Sequence, residues 1–110
     1  QSQFRYPFGL GLDINSNCLF VCDDGNHVVR RISLLGEVKV NTLCGNEEAT
    51  GSRDGFFPTF NKPSGIVVDS HSQSLYVMDY GNEKVRKIID RNRILMKEES
   101  SPPTKKQKLL

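Results

Sequence analysis

Short apolar runs separated by polar turn residues make up most of the chain. Residues 9–13, 18–22, 27–32 and 38–43 are rich in Val, Ile, Leu and Phe, and the segments between them contain Gly, Asn, Asp and Ser. Runs of this length and composition are typical of β-strands. Because the connecting turns are only a few residues long, consecutive strands are expected to pair antiparallel. The pattern therefore predicts a four-stranded meander.

The same pattern occurs a second time further along the chain. A shift of 56 positions aligns residues 4–32 with residues 60–88 without a gap, and 13 of the 29 aligned pairs are identical. The strands of the second copy are predicted at residues 65–69, 75–79, 84–89 and 94–96. A long fixed period built on short strands indicates a repeat protein. We expect two copies of one all-β unit.

The third strand of each copy departs from regular alternation. Val29 and Ile32 are apolar and recur as Val85 and Ile88, but residues three apart face opposite sides of a regular strand. Two explanations are open. The strand contains a β-bulge, or the arginine that follows Val29 and Val85 turns partly toward the core.

Four aspartates share a position at the end of a strand beside a turn: Asp13, Asp23, Asp69 and Asp79. A carboxylate in this position accepts hydrogen bonds from nearby backbone N–H groups, a role that needs no catalysis. In the turn after Asp23, Gly25 and Asn26 are the residues expected to adopt positive φ at low cost.

The longest connection, residues 44–62, carries Phe56, Phe57 and Phe60. Three phenylalanine rings exposed in one loop would be costly in water. We expect the loop to pack its rings between neighbouring units.

Composition and charge indicate the class of protein but do not indicate its partner. The 110 residues are 36% hydrophobic and 25% charged, as in globular domains, and the formal net charge is only +2. No apolar run approaches the roughly 20 residues that a membrane span needs. We expect no membrane partner, and the charge of the repeats demands no polyanion. We interpret the chain as a piece of a longer protein.

Three cysteines, Cys18, Cys22 and Cys44, make an odd count. On one strand, Cys18 and Cys22 would lie about 13 Å apart at roughly 3.3 Å per residue, too far for a disulfide. We expect small buried thiols that fill space. Unpaired thiols fit a reducing intracellular compartment, cytoplasmic or nuclear.

The repeat is expected to end at residue 97, because acidic residues follow where the first copy has a strand. Residues 100–108 have no apolar side chains to bury, so residues 98–110 are predicted to be a disordered basic tail. Within it, Lys105, Lys106 and Lys108 match a short basic nuclear-localisation pattern.

Both copies resemble the NHL repeat. The matching segments read PFGLGLD, LFVCDDGN and VRRI in the first copy and PSGIVVD, LYVMDYGN and VRKI in the second. In that family each repeat is one four-stranded blade of a β-propeller. The resemblance implies two antiparallel blades of an NHL-type propeller, at residues 9–62 with the inter-blade loop and at residues 63–97, after the end of a preceding repeat at residues 1–8.

Two blades leave two sheet faces uncovered. Propellers close with about four to eight blades, so the remaining blades are expected from the same, longer chain. The isolated piece is then expected to be poorly stable.

The first functional interpretation is a non-catalytic protein-interaction module, a scaffold on which a protein or peptide docks. Because consecutive strands reverse direction, the turns at residues 23–27 and 79–83 and the loop at residues 44–62 should share one rim. We predict an acidic excess there, from Asp23, Asp24, Glu47, Glu48, Asp54, Asp79 and Glu83 against Arg53, Lys62 and Lys84. Binding residues tend to lie on loops held by a rigid scaffold. The predicted partner-binding residues are Asp24, His27, Glu47, Glu48 and Arg53.

The second interpretation is an RNA-binding propeller, as in some tripartite-motif ubiquitin ligases. Basic residues on and after the third strands would carry it: Arg30, Arg31, Arg86, Lys87, Arg91 and Arg93. We disfavour RNA because stacking platforms need exposed aromatic rings beside the basic groove, and the predicted acidic rim would repel it.

The third interpretation is a propeller enzyme of the lyase or hydrolase type. His27 and His71 are the only histidines, their equivalents in the other copy are Glu83 and Asn15, and a catalytic zinc usually takes three protein ligands. No nucleophile elbow or phosphate loop is present. We expect no catalytic residue, metal or cofactor in these two units.

Overall fold

Two four-stranded antiparallel sheets make up the fold in the part of the chain that the structure describes. The computed structural model describes residues 3–55, 57–90 and 96–99. Within each sheet the strand order is the sequence order, and every neighbouring pair is antiparallel. The predicted all-β architecture of two meander blades is therefore confirmed. Phe56, Arg91, Arg93 and the lysines of the predicted nuclear-localisation signal lie outside the described residues.

The first blade contains strands β1 to β4. Its strands are β1 (Pro7–Asp13), β2 (Cys18–Asp23), β3 (Val28–Ser33) and β4 (Lys39–Gly45). A short 3₁₀ turn at Asp24–Asn26 joins β2 to β3. Each strand falls where a run of β-forming residues meets a polar turn, so local sequence accounts for its position.

The second blade repeats this order with strands β5 to β8. Its strands are β5 (Pro63–Asp69), β6 (Ser74–Asp79), β7 (Lys84–Asp90) and β8 (Met96–Glu99). The 3₁₀ turn at Tyr80–Asn82 joins β6 to β7. No helix in the described ranges is long and apolar enough to cross a membrane.

Strand β8 lies further along the chain than predicted. We expected the fourth strand at residues 94–96 and the tail from residue 98, whereas β8 continues to Glu99 and pairs Glu98 with Ile88. An outermost strand is held by backbone hydrogen bonds along one side and tolerates charged side chains. Acidic composition was therefore a poor indicator of the strand end, and residues 100–110 lie outside the description.

The two blades pack face to face, with β1 beside β5. A Cβ atom built on Gly9 would lie only 2.6 Å from the Ser64 carbonyl oxygen, so the glycine is what permits this backbone approach. The apolar side chains between the sheets form one cluster: Cys18, Phe20, Cys22, Val29, Cys44, Phe60, Ile66, Leu75, Val77 and Ile88. The expected buried thiols are confirmed, since all three cysteines are buried.

Of the two explanations of the irregular third strand, only the inward arginine holds, because β3 pairs with β2, and β7 with β6, without a shift of register. The pairing of β3 with β4 shifts register between Val29 and Arg30, but the extra residue, Leu43, is in β4, so the bulge is not in the third strand. Arg30 and its equivalent Arg86 are fully buried. In the first blade Val28, Val29 and Arg30 are buried in succession although β3 pairs with β2 in regular register.

The loop at residues 44–62 buries one described phenylalanine and exposes another. Phe60 is fully buried in the cluster between the blades, as predicted, but Phe57 is 80% exposed, so that prediction is wrong. Thr59 N–H donates to the Arg53 carbonyl oxygen at 3.0 Å, and Arg53 Nε donates to the Phe57 carbonyl oxygen at 3.1 Å. These bonds close a small loop that carries Phe57 at its surface.

Candidate functional site at the loop-bearing rim

The turns after β2 and β6 and the loop at residues 44–62 meet at one end of the blades, which we call the loop-bearing rim. Lys62 N–H donates to His27 Nδ1 at 3.0 Å, which ties the first turn to the chain entering β5. Asn82 Nδ2 donates to the Gly51 carbonyl oxygen at 2.8 Å, which ties the second turn to the middle of the loop. The expected placement of these segments on one rim is confirmed.

A buried ion pair lies beneath this rim in the second blade. Arg86 Nη1 is 2.7 Å from Asp79 Oδ2, and both side chains are fully buried. The same guanidinium also donates to the Thr59 and Arg53 carbonyl oxygens, at 3.0 and 2.8 Å, and lies 4.8 Å from the Phe60 ring centroid. Arg86 thus fixes the loop that enters its own blade.

The first blade carries the equivalent pair. Arg30 Nη2 lies 3.0 Å from Asp23 Oδ2, again with both side chains buried. A hydrogen bond also joins Arg30 to Thr42, and a salt bridge of 2.8 Å joins it to Glu47. The sequence carried a signal for this feature, because an Asp and an Arg seven residues apart are identical in both copies.

The strand-end aspartates accept backbone hydrogen bonds, as predicted. Asp23 Oδ1 accepts from Arg5 N–H at 2.7 Å, and Asp79 Oδ1 accepts from Asn61 N–H at 2.8 Å. In each blade the aspartate therefore joins the turn, the buried arginine and the segment that precedes the first strand. Sequence reasoning allowed for an inward arginine but did not foresee its ion pair with this aspartate.

The buried arginines change the charge expected at the rim. Asp23 and Asp79 are buried rather than displayed, and Glu47 and Asp54 each contact an arginine, Asp54 at 2.9 Å from Arg86. The displayed charges without a buried arginine partner are then three acidic and three basic: Asp24, Glu48, Glu83, Arg53, Lys62 and Lys84. With Arg30 and Arg86 counted, seven acidic side chains stand against five basic ones, so the predicted acidic excess remains but falls from four charges to two.

Positive φ in the two turns falls on His27 and Glu83, at 59° and 57°. We predicted it at Gly25 and Asn26, which lie in the 3₁₀ turn instead. The glycine is needed for a different reason, because a Cβ on Gly25 would lie 2.5 Å from the Arg5 carbonyl oxygen, and one on Gly81 would lie 2.4 Å from Asn61 Cγ. The incoming chain passes directly over each glycine.

The five predicted partner-binding residues divide into structural and displayed groups. His27 accepts the Lys62 N–H, and Glu47 contacts Arg30, so both hold the rim together. Asp24 is half-buried, while Glu48 and Arg53 are exposed. The structure thus leaves Asp24, Glu48 and Arg53 as side chains that a partner can reach.

Exposed aromatic side chains on the same rim were not foreseen. Tyr80 opens the 3₁₀ turn of the second blade, Tyr6 covers Gly25 of the first, and Phe57 projects from the loop. All three are largely exposed. In sequence they look like strand or loop packing residues, and only the folded rim shows that they face solvent.

At the opposite rim, the turns after β1 and β5 are capped by Asp13 and Asp69. Asp13 Oδ1 accepts from Asn15 N–H at 3.2 Å and also from Ser70 Oγ of the second blade at 2.9 Å. The hydrogen bond from the Ser72 hydroxyl lowers the pKa of Asp69. Both carboxylates serve the turns, in keeping with the structural role predicted for them.

The basic residues proposed for RNA are not a solvated set. Arg30 and Arg86 are buried in ion pairs, and Arg31 Nε is buried without a hydrogen-bond partner. Lys87 Nζ lies 5.9 Å from the Tyr76 ring centroid on the uncovered face of the second blade. Among the residues that the structure describes, no group of three or more His, Cys, Asp or Glu side chains is placed to hold a metal ion.

Cys22 gives a test of the junction between the blades. Its thiol donates to the Gly65 carbonyl oxygen at 3.4 Å, and burial, followed by the charges of Asp24 and Asp79, raises its pKa from 9.0 to about 12. The folded chain therefore keeps a proton that the unfolded chain releases, so the free energy of unfolding should fall as pH rises from 9.0 toward about 12.

Urea unfolding of the wild-type chain and the Cys22→Ala variant at a series of pH values checks this expectation. The variant should lack the part of the decline that comes from the thiol, while lysine and tyrosine titrations affect both chains equally. Identical pH dependence in the two chains would show that Cys22 is not buried between the blades.

The sequence is similar to that of a known protein that contains a named repeat. The chain is 37% identical over 97 residues to NHL repeat-containing protein 2 of Gallus gallus, and the aligned region covers 79% of the chain. It spans only 13% of the length of that relative. No family model matches the chain. The chain is thus a distant, partial homologue of an NHL repeat protein.

Proposed function

We propose that the chain forms part of an NHL-type β-propeller that binds a protein or peptide at the loop-bearing rim and performs no chemistry of its own. The partial similarity to an NHL repeat protein and the two four-stranded blades support the propeller. The observation that carries the binding role is the set of exposed aromatic rings, Tyr6, Phe57 and Tyr80, on a rim fixed by buried ion pairs.

Aromatic side chains on a rigid base are suited to protein recognition. Tyr and Phe offer large apolar contact areas, and little conformational entropy is lost when only two side-chain torsions are fixed. At interfaces, Tyr and Arg are enriched among the residues whose truncation weakens binding most. Arg53 is exposed in the same loop as Phe57, so an arginine and an aromatic side chain are both available to a partner there.

The charge balance of the rim guides the choice of partner chemistry. Because Arg30, Arg86 and the three exposed basic side chains reduce the acidic excess of the rim to two charges, a strongly basic partner gains little. We infer a partner that inserts apolar groups against the rings and pairs its own acidic and basic groups with Arg53 and Glu48. In such an interface charges mainly set orientation and specificity. Cys18 and Cys22, which are buried and form no disulfide, support an intracellular setting.

Site-specific photocrosslinking in the intact protein tests the rim directly. A benzophenone amino acid replaces Tyr80 on the loop-bearing rim or, as the matched control, exposed His71 on the opposite rim. We expect partner adducts to form several-fold more from position 80. Equal or greater yield from position 71 would contradict the proposal.

A second comparison separates a protein partner from RNA. Tyr80→Ala and Phe57→Ala should reduce capture of the crosslinked protein. Glu47 is not substituted, because it forms a salt bridge with Arg30. Because Arg30 and Arg86 are buried in ion pairs and the rim keeps an acidic excess, mobility of single-stranded RNA should not change with added chain at low salt. A salt-dependent RNA shift lost on Lys87→Ala would favour the nucleic-acid function instead.

A further inference from the structure

Arg53 is an exposed residue whose backbone and part of whose side chain are fixed. Its N–H donates to Thr59 Oγ1 at 2.8 Å, and its carbonyl oxygen accepts from Thr59 N–H at 3.0 Å and from Arg86 Nη2 at 2.8 Å. Its side-chain Nε donates to the Phe57 carbonyl oxygen at 3.1 Å. The amide, the carbonyl and Nε of this residue are therefore all held by the fold.

The outer part of the Arg53 guanidinium is left for a ligand. The buried arginines Arg30 and Arg86 each contact two carboxylates. Among the residues that the structure describes, no carboxylate forms a salt bridge with Arg53. Because Nε is already bonded to Phe57, the two Nη groups are the donors that remain. Arg53 thus presents a fixed pair of donors at the loop-bearing rim.

Phe57 adds an apolar ring to the same short segment. Its side chain is 80% exposed, and its carbonyl oxygen is the group that holds Arg53 Nε. The residue that follows it, Pro58, is buried, and a residue before proline is restricted to extended conformations. The backbone that carries the ring is therefore restricted as well.

This loop lies over the internal junction of the two blades and not over an uncovered sheet face. Arg86, which holds the Arg53 carbonyl oxygen, pairs in register with Val77, and Val77 belongs to the apolar cluster between the blades. Phe60 of the same loop is in that cluster too. The surroundings of Arg53 and Phe57 are therefore set by two blades that the structure describes.

We propose that Arg53 and Phe57 form a site for a carboxylate side chain that stands next to an apolar side chain in the partner. The proposal rests on the proposed function, because it assigns partner chemistry to the same rim. The two Nη groups donate to the two carboxylate oxygens, a bidentate geometry that lysine cannot reproduce. The neighbouring apolar side chain covers the Phe57 ring. Because the site is fixed before binding, little conformational entropy is lost when the partner arrives.

Charge favours a carboxylate over a phosphate group at this site. A phosphoryl group carries a charge of about −1.5 to −2 at neutral pH, and sites that recognise it usually combine several arginines. Here one guanidinium is available, with Asp54 next to it in sequence and Glu48 exposed in the same loop. One guanidinium balances a single negative charge, whereas additional negative charge would be repelled by these acidic side chains.

A phage-displayed library of random peptides, panned on the intact protein, tests the site. The wild-type protein should enrich peptides with Asp or Glu beside an apolar residue. Arg53→Glu should enrich Lys or Arg at that place instead, and should bind the peptides selected on wild type at least about ten-fold more weakly. A purely structural role of Arg53 would weaken binding without exchanging the preferred charge, and that result would overturn the proposal.

Lys84→Glu is the matched control, because it makes the same change of net charge at an exposed position of the same rim. It should enrich the same acidic peptides as wild type. Arg53→Lys keeps the positive charge but loses the planar fork, so it should weaken binding several-fold and keep the preference for acidic residues. An equal shift toward basic peptides in Lys84→Glu and Arg53→Glu would assign the effect to net charge and contradict the site.

Two further variants distinguish failure of this inference from failure of the proposed function. If Tyr80→Ala and Phe57→Ala weaken binding of the enriched peptides while Arg53→Glu changes neither affinity nor preferred charge, the rim binds a partner and the carboxylate site is wrong. If none of the three variants changes binding, the proposed function fails as well.

A phosphorylated probe tests the choice of a carboxylate. In an enriched peptide, phosphoserine replaces the acidic residue, and binding to the wild-type protein should become weaker. Tighter binding of the phosphoserine peptide would assign Arg53 to a phosphorylated partner and overturn the carboxylate site.

Discussion

The Arg86→Ala variant is expected to lose about 3–5 kcal/mol of folding stability, the range found when one partner of a buried ion pair is removed. Asp79 would remain as a buried carboxylate without its arginine, and the Thr59 and Arg53 carbonyl oxygens would lose a donor. Small domains have total stabilities of about 5–15 kcal/mol, so this loss can unfold the second blade. Urea unfolding followed by circular dichroism measures it.

Two neighbouring positions provide matched controls for Arg86. Lys87→Ala removes a half-buried cation from the next residue and should cost well under half as much. Asp54→Ala removes another partner of the same arginine. Because the Asp54 side chain is 41% exposed, this substitution should cost about 1 kcal/mol or less. If all three variants are equally stable, the buried pair does not hold the loop to the blade.

Gly9→Ala is expected to destabilise the junction between the blades by about 1–3 kcal/mol, the usual cost of overpacking. The added Cβ would lie 2.6 Å from the Ser64 carbonyl oxygen and 2.8 Å from Gly65 Cα. Both are backbone atoms of β5, so no side-chain rotation relieves the contact. The two blades must separate slightly, which weakens packing across the whole cluster.

Gly65→Ala is the matched control, because Gly65 occupies the equivalent position in the second blade and faces no neighbouring sheet. A large loss for Gly9→Ala and almost none for Gly65→Ala is expected in urea unfolding. Equal losses would mean that the effect comes from the strands themselves and not from the contact between blades.

Strand positions were predictable because their causes are local. The run at residues 18–22 is rich in β-forming side chains and ends at an Asp-Asp-Gly-Asn turn, and β2 covers it as Cys18–Asp23. The 56-residue repeat then predicted the strands of the second blade from those of the first. Where local composition was a poor indicator, as for β8, the prediction missed, because an outer strand is held by its backbone.

The candidate site was predictable in placement but less so in chemistry. Alternating strand direction correctly brought residues 44–62 onto the rim of the two turns. The acidic excess of that rim was overestimated, because a pattern of charged residues does not show which carboxylate is buried against which arginine. Arg86 and Asp79 are charged in the sequence, yet in the fold they neutralise each other beneath the surface.

The sequence by itself determined that this chain forms two equivalent four-stranded sheets, since strand propensity, turn residues and an ungapped repeat all act over short distances. Only the tertiary structure decided that Arg30 and Arg86 are buried, that Gly9 permits backbone contact between blades, and that Phe57 and Tyr80 face solvent. Each of these depends on which segments meet across the fold. Burial, close backbone approach and ion pairing depend on contacts between segments that are distant in sequence, so local sequence does not determine them.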